Sequence, residues 1–158
     1  DLQGENFNID HIVVSPAGVF CIETKSRAKY ALEDGKSNAR VDFDGKMLNF
    51  PSHKETKPVE QVRRNAKWLK DWLAKASAER VDVRPVLALP GWWVENKTRS
   101  DVLLVSGKNI RGFLKNSTTG TPLNPEQMQR IVHQIEQRCR DVEPSGYPQK
   151  KISPFTAK

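Results

Sequence analysis

Asn8-Ile-Asp-His-Ile-Val-Val-Ser-Pro-Ala-Gly-Val-Phe-Cys-Ile-Glu-Thr-Lys25 is the stretch that decides the fold. Two β-rich runs flank Ser15-Pro-Ala-Gly18, and such a Pro/Gly turn between them predicts a β-hairpin. Side chains alternate along a strand, so Glu23 and Lys25 share a face with Cys21 and Val19. With Ser15 to Gly18 as the turn, Val14 pairs with Val19. Counting back along both strands then sets Asp10 opposite Glu23.

Two carboxylates facing each other at about 5 Å repel, so something must compensate them. A shared proton would do so, as would the neighbouring Lys25 or a divalent cation. Hard cations such as Mg²⁺ take carboxylate and carbonyl oxygens and keep several waters. Asp10, Glu23 and the backbone carbonyl of Thr24 offer three such ligands. An ion there would lower the pKa of a bound water and steady charge on a phosphoryl group. Lys25 would orient that water or stabilise the pentacovalent phosphorus. The plainer alternative is a surface hairpin carrying a Glu23–Lys25 ion pair.

Outward from the hairpin, Arg40-Val-Asp-Phe and Lys46-Met-Leu-Asn-Phe50 flank Asp44-Gly45, the signal of a second hairpin. Residues 58–78 carry Val62, Ala66, Leu69, Leu73 and Ala76 at helical spacing, with Pro58 suited to the first turn. Arg63, Arg64, Lys67 and Lys70 fall largely off that stripe. Residues 84–90 and 101–106 are short apolar runs that read as strands buried on both faces. A short helix is expected around residues 109–114. Asn124-Pro-Glu-Gln127 is a strong helix start, followed by a stripe of Met128, Ile131, Val132, Ile135 and Cys139. Pro144, Gly146, Pro148 and Pro154 mark residues 143–158 as a tail. The order predicts an α/β domain over residues 1–142, with a central mixed β-sheet flanked by helices.

The chain has 158 residues, room for one domain with one real core. It holds 26 basic and 19 acidic residues, a net charge of +7. Residues 1–53 are net acidic and the remainder is basic, which suits a protein that attracts a polyanion and holds carboxylates within reach of it. Arg63, Arg64 and Lys67 are the candidate nucleic-acid contacts, on a helix whose binding would tolerate any sequence. No apolar run reaches the length of a membrane-spanning helix. Cys21 and Cys139 lack the spacing of a disulfide framework or zinc knuckle; they read as buried or partly buried thiols of a cytoplasmic protein. His11 reads as a packed core residue, and Trp92-Trp93 as core or rim packing. His53 and His133 lack partners at metal-ligand spacing.

Asp10, followed after twelve residues by Glu23-Thr-Lys25 at the end of an apolar strand, resembles the core of the PD-(D/E)XK nuclease superfamily. The wording of residues 8–14, Pro16-Ala-Gly-Val-Phe20 and Ile22-Glu-Thr-Lys25 looks like its nuclease-related domain family, NERD, as does Pro58-x-x-Gln61-x-x-x-Asn65. This resemblance is dense over residues 1–75 and thin afterwards. It implies a restriction-endonuclease-like α/β fold and Mg²⁺- or Mn²⁺-dependent hydrolysis of DNA. It also implies Asp10 and Glu23 as metal ligands, Lys25 as the catalytic lysine and Gln61 as a supporting residue; Asn65 would extend the site. Many superfamily members carry an acidic residue on a helix before the first strand. No room for that helix exists before Asp1, and Glu5 is a poor substitute, so the helix is expected upstream in a longer protein. The rival reading is a non-catalytic nucleic-acid-binding or regulatory module of a larger protein.

Overall fold

A computed structural model describes residues 2–4, 6–31, 37–117, 119–120 and 122–140. The chain opens with β1 (Leu2–Gln3) and β2 (Asn8–Ile9), a two-stranded ribbon. The deciding hairpin follows as β3 (His11–Ser15) and β4 (Gly18–Thr24), in the expected register, with Val14 facing Val19 and Ser15 facing Gly18. Gly18 has φ near +120°, a backbone conformation that Gly adopts without strain. The Ser15 hydroxyl receives the Ala17 N–H across the turn. The hairpin tip is strapped from outside by Thr119 N–H to the Ala17 carbonyl and Leu123 N–H to the Pro16 carbonyl.

A small ribbon, β5 (Tyr30–Ala31) and β6 (Ser37–Asn38), precedes the second hairpin, β7 (Arg40–Phe43) and β8 (Leu48–Asn49). Asp44 accepts the Lys46 and Met47 N–H groups in its turn, the Asx geometry that favours Asp at such a corner. Next come β9 (Lys54–Glu55), α1 (Lys57–Ala76), β10 (Val83–Ala88), β11 (Trp93–Asn96) and β12 (Leu103–Val105). A 3₁₀ turn at Gly107–Asn109 leads into α2 (Ile110–Asn116), and α3 (Pro125–Arg140) closes the described chain. The Asn124 and Gln127 side chains bond each other's backbone N–H, forming the capping box expected at that helix start.

The central sheet runs β12-β10-β4-β3, antiparallel at the hairpin and parallel elsewhere. A second mixed sheet, β11-β7-β8-β9, is built on the second hairpin. Val19 and Cys21 face α1 in a core shared with α3 and the first ribbon. Phe20, Ile22, Val86 and Ala88 face the other way, toward Ile110 and Leu114 of α2. A third cluster fills the space between the second sheet, α1 and Leu87 and Leu104 of the central sheet. The architecture is mixed α/β, sheets flanked by helices, and is compatible with the restriction-endonuclease-like class.

Three expectations need correction. Of the α3 stripe, Ile131 is fully buried, Met128 and Ile135 are partly so, and Val132 and Cys139 are exposed. The helix lies across the rim of the core, so its contact narrows. His11 is exposed, not packed, because it points away from α1 on the outer strand of the sheet. Trp92 and Trp93 divide: the first is buried, the second 73% exposed. The tail at 143–158 and Glu5 lie outside the described residues.

Candidate active site

Glu23 is the last buried residue of an apolar strand, only 3% exposed. A lone carboxylate there would be costly unless hydrogen-bonded. Three donors surround it. Lys25 Nζ donates to Oε1 at 2.6 Å and Gln61 Nε2 donates to the same oxygen at 2.8 Å. Asn65 Nδ2 donates to Oε2 at 3.3 Å. Gln61 and Asn65 stand one turn apart on α1, so one helix face serves both carboxylate oxygens. Asn65 is 1% exposed and also reaches the Asn8 carbonyl at 3.5 Å.

Asp10 sits just beyond the paired end of β3, since the ladder closes with His11 facing Ile22. It is therefore not a ladder partner of Glu23. Its Oδ2 accepts the Thr24 N–H at 2.8 Å, which ties its carboxylate to the end of β4 beside Glu23. Lys25 leaves the strand with its own N–H on the Ala88 carbonyl at 3.0 Å, so β10 fixes the backbone that carries the ammonium. Asp10, Glu23, Thr24, Lys25 and Gln61 thus gather at the carboxyl ends of the parallel strands β4 and β10, where α/β sheets place ligands. Beneath them the Cys21 thiol is pushed up to about 12, first by burial and then by the charges of Glu23 and Asp10. It remains a neutral thiol and adds no thiolate ligand.

The donor set suits a hard cation. The groups on offer are the carboxylates of Asp10 and Glu23, both oxygen donors, with no thiolate or imidazole beside them among the described residues. Among the described residues no cluster of three His, Cys, Asp or Glu side chains could hold a metal. An ion here would therefore keep several waters, which Mg²⁺ does readily.

Around the site, Arg27 makes a forked pair with Glu55 at 2.7 Å for both contacts, and His53 reaches the same carboxylate. This holds Glu55 down at about 2, chiefly through the Arg27 hydrogen bonds. The Arg27 carbonyl receives the Trp92 indole N–H. Segment 25–27 is thereby bound to β9, which leads directly into α1 and Gln61. Residues 28 positions apart carry no local signal of such a pairing. Asn65 did: it lies four residues after Gln61 on the same helix face.

The candidate nucleic-acid contacts separate. Arg63 forks onto Asp101 at 2.6 and 2.8 Å and donates to the Gly45 carbonyl, so it fastens α1 to two loops. Arg64 and Lys67 are exposed and enter no ion pair among the described residues. Lys70 pairs with Asp82.

Two carboxylates and a lysine thus stand together at the carboxyl edge of a mixed α/β sheet. The family model for the nuclease-related domain, NERD, matches residues 1–90, more than half of the chain, and the chain belongs to that family. No curated protein and no solved structure matches it. Among the described residues, no helix is long and apolar enough to cross a membrane.

Proposed function

We propose that the protein is a divalent-metal-dependent nuclease that hydrolyses phosphodiester bonds in DNA. The observation that carries this reading is the buried Glu23 carboxylate, held by Lys25, Gln61 and Asn65 beside Asp10. Asp10, Glu23 and the Thr24 carbonyl would hold Mg²⁺ or Mn²⁺. Such an ion, when bound, lowers the pKa of a water and offsets charge on phosphoryl oxygens. Gln61, in the first turns of α1, orients the attacking water with its amide, and the helix N-terminus favours a nearby phosphate. Lys25 sets its ammonium against the charge that grows on phosphorus. Arg64 and Lys67 extend the contact along the DNA backbone without reading bases.

In the same reading residues 1–142 form one nuclease-related domain, because β12 and α3 complete cores begun within residues 1–90. A cytoplasmic location accompanies it, with Cys21 a buried thiol outside any disulfide. Nicking of supercoiled plasmid in Mn²⁺, Mg²⁺ or EDTA tests the activity. Wild type should nick with either cation and not in EDTA, and Lys25→Ala and Glu23→Gln should each lose nicking by about a hundredfold or more. Binding of DNA without any metal-dependent product would favour the non-catalytic module instead.

A further inference from the structure

Arg84 lies near the start of β10, on the α2 side of the sheet with Val86 and Ala88. Arg84 is half-buried. Nε is removed from solvent and has no hydrogen-bond partner, while one terminal nitrogen donates to the Ser100 carbonyl at 2.9 Å. No carboxylate lies in ion-pair range of Arg84 among the described residues. Asp101, next to Ser100, is taken up by Arg63. Removing a charge from water without a partner is expensive, and native proteins ordinarily supply a counter-charge.

Arg84 opens onto a groove of about 450 Å³ that is also lined by Asn96, Thr98, Arg99, Ser100 and Phe113. Among the described residues, its walls carry two guanidinium groups and no acidic side chain. Hydroxyl and amide groups flank the cations, and an exposed aromatic ring stands at the side. Forked guanidinium donors match the oxygens of a phosphate group, and an aromatic wall suits a planar group attached to it. The groove is separate from the Glu23 cluster. Arg84 precedes Ala88 by four residues, about 13 Å along a strand, and its side chain leaves the opposite face of the sheet from Glu23 and Leu87.

We propose that this groove is a binding site for a small phosphate-bearing ligand, with Arg84 and Arg99 as its anion contacts and Phe113 as its planar wall. The site stands independently of any nuclease activity, so it is tested without metal or DNA. The probes are inorganic phosphate and deoxyadenosine monophosphate, each compared with chloride at equal ionic strength in thermal melts, and titrated by calorimetry. Both probes should raise Tm over chloride, as ligands that bind only the folded state do. A tighter monophosphate whose advantage disappears in Phe113→Ala identifies a nucleotide; equal affinities identify the phosphate group alone. Arg84→Met should weaken binding about ten- to a hundredfold, while melting no lower than wild type in chloride, because it removes an uncompensated charge. Arg99→Gln, at an exposed position, should weaken binding in a protein whose fold is untouched. Equal melts in phosphate and chloride would overturn the proposal. So would undiminished binding in Arg99→Gln together with either undiminished binding or failure to fold in Arg84→Met.

Discussion

At the scale of single residues, the site is organised around one buried anion. Glu23 Oε1 accepts from Lys25 and Gln61, and Oε2 accepts from Asn65. From sequence alone, Glu23 and Asp10 look like a repelling pair awaiting compensation. In the structure, Glu23 is already satisfied by three donors, and Asp10 has turned to the Thr24 N–H. Compensation therefore comes from the helix behind the strand as well as from Lys25. Asn65 carries the part that no other described side chain duplicates, since no other donates to Oε2. Asn65→Ala is predicted to destabilise the fold by about 1–3 kcal/mol, the usual cost of stranding a buried polar group. Urea denaturation measures it. Gln61→Ala should cost less, because Lys25 stays on the same oxygen, yet it should lower nicking as much as Asn65→Ala or more. Equal stability losses for the two would mean that Oε2 has another partner.

At the scale of elements, α1 has three faces with separate tasks. Val62, Ala66, Leu69 and Leu73 are buried, Gln61 and Asn65 address Glu23, and Arg64 and Lys67 face solvent. Periodicity shows the first face directly, because apolar side chains must leave water. It cannot assign the charged residues, since a surface cation and one forked onto a loop look alike in sequence. Arg63 illustrates this: Asp101, 38 positions away, claims it. DNA binding should therefore be tested with Arg64→Glu and Lys67→Glu, leaving Arg63 intact. The pair is predicted to flatten the slope of log affinity against log salt by about 1.8, at about 0.9 per phosphate contact. An unchanged slope places the DNA elsewhere on the surface.

The Arg27–Glu55 fork gives the same region a pH signature. The folded-state value of Glu55, about 2, lies below the ordinary glutamate value of about 4.3. A depressed carboxylate contributes stability above its unfolded value and loses it as pH falls through the folded one. Wild type should therefore melt higher than Glu55→Gln at pH 5, and the gap should close on acidification toward pH 2. Asp101, also held at about 2 by Arg63, is present in both proteins and cancels. A gap independent of pH would mean that the carboxylate charge contributes nothing.

At the scale of the molecule, the match to the nuclease-related family ends at residue 90, but the packing does not. Val102 and Leu104 close one core, Leu123 and Ile131 close another, and Thr119 and Leu123 strap the tip of the site hairpin. A chain ending at residue 90 should therefore fail to fold, giving a circular dichroism spectrum without a cooperative melt. A cooperative transition would show that the first 90 residues are self-sufficient. The hairpins, the long helix and the two buried strands were legible in sequence because each has an uninterrupted period or a strong turn. The two-residue strands β1 and β9, and the edge strand β11 with its exposed Trp93, were not legible. Two residues carry no period, and β11 exists through pairing with the distant β7. Within the candidate cluster, Glu23-Thr-Lys25 is a local pattern, whereas Gln61 and Asn65 on α1 were reached through the family resemblance, since no local period shows α1 folding back onto β4.

The central claim is that Asp10 and Glu23 hold a divalent cation. A crystal soaked in Mn²⁺ tests it most directly. The account predicts an anomalous peak between the two carboxylates, within bonding reach of the Thr24 carbonyl, and its loss in Asp10→Asn. A Mn²⁺ peak elsewhere with none at this position, or one that persists unchanged in Asp10→Asn, would contradict it.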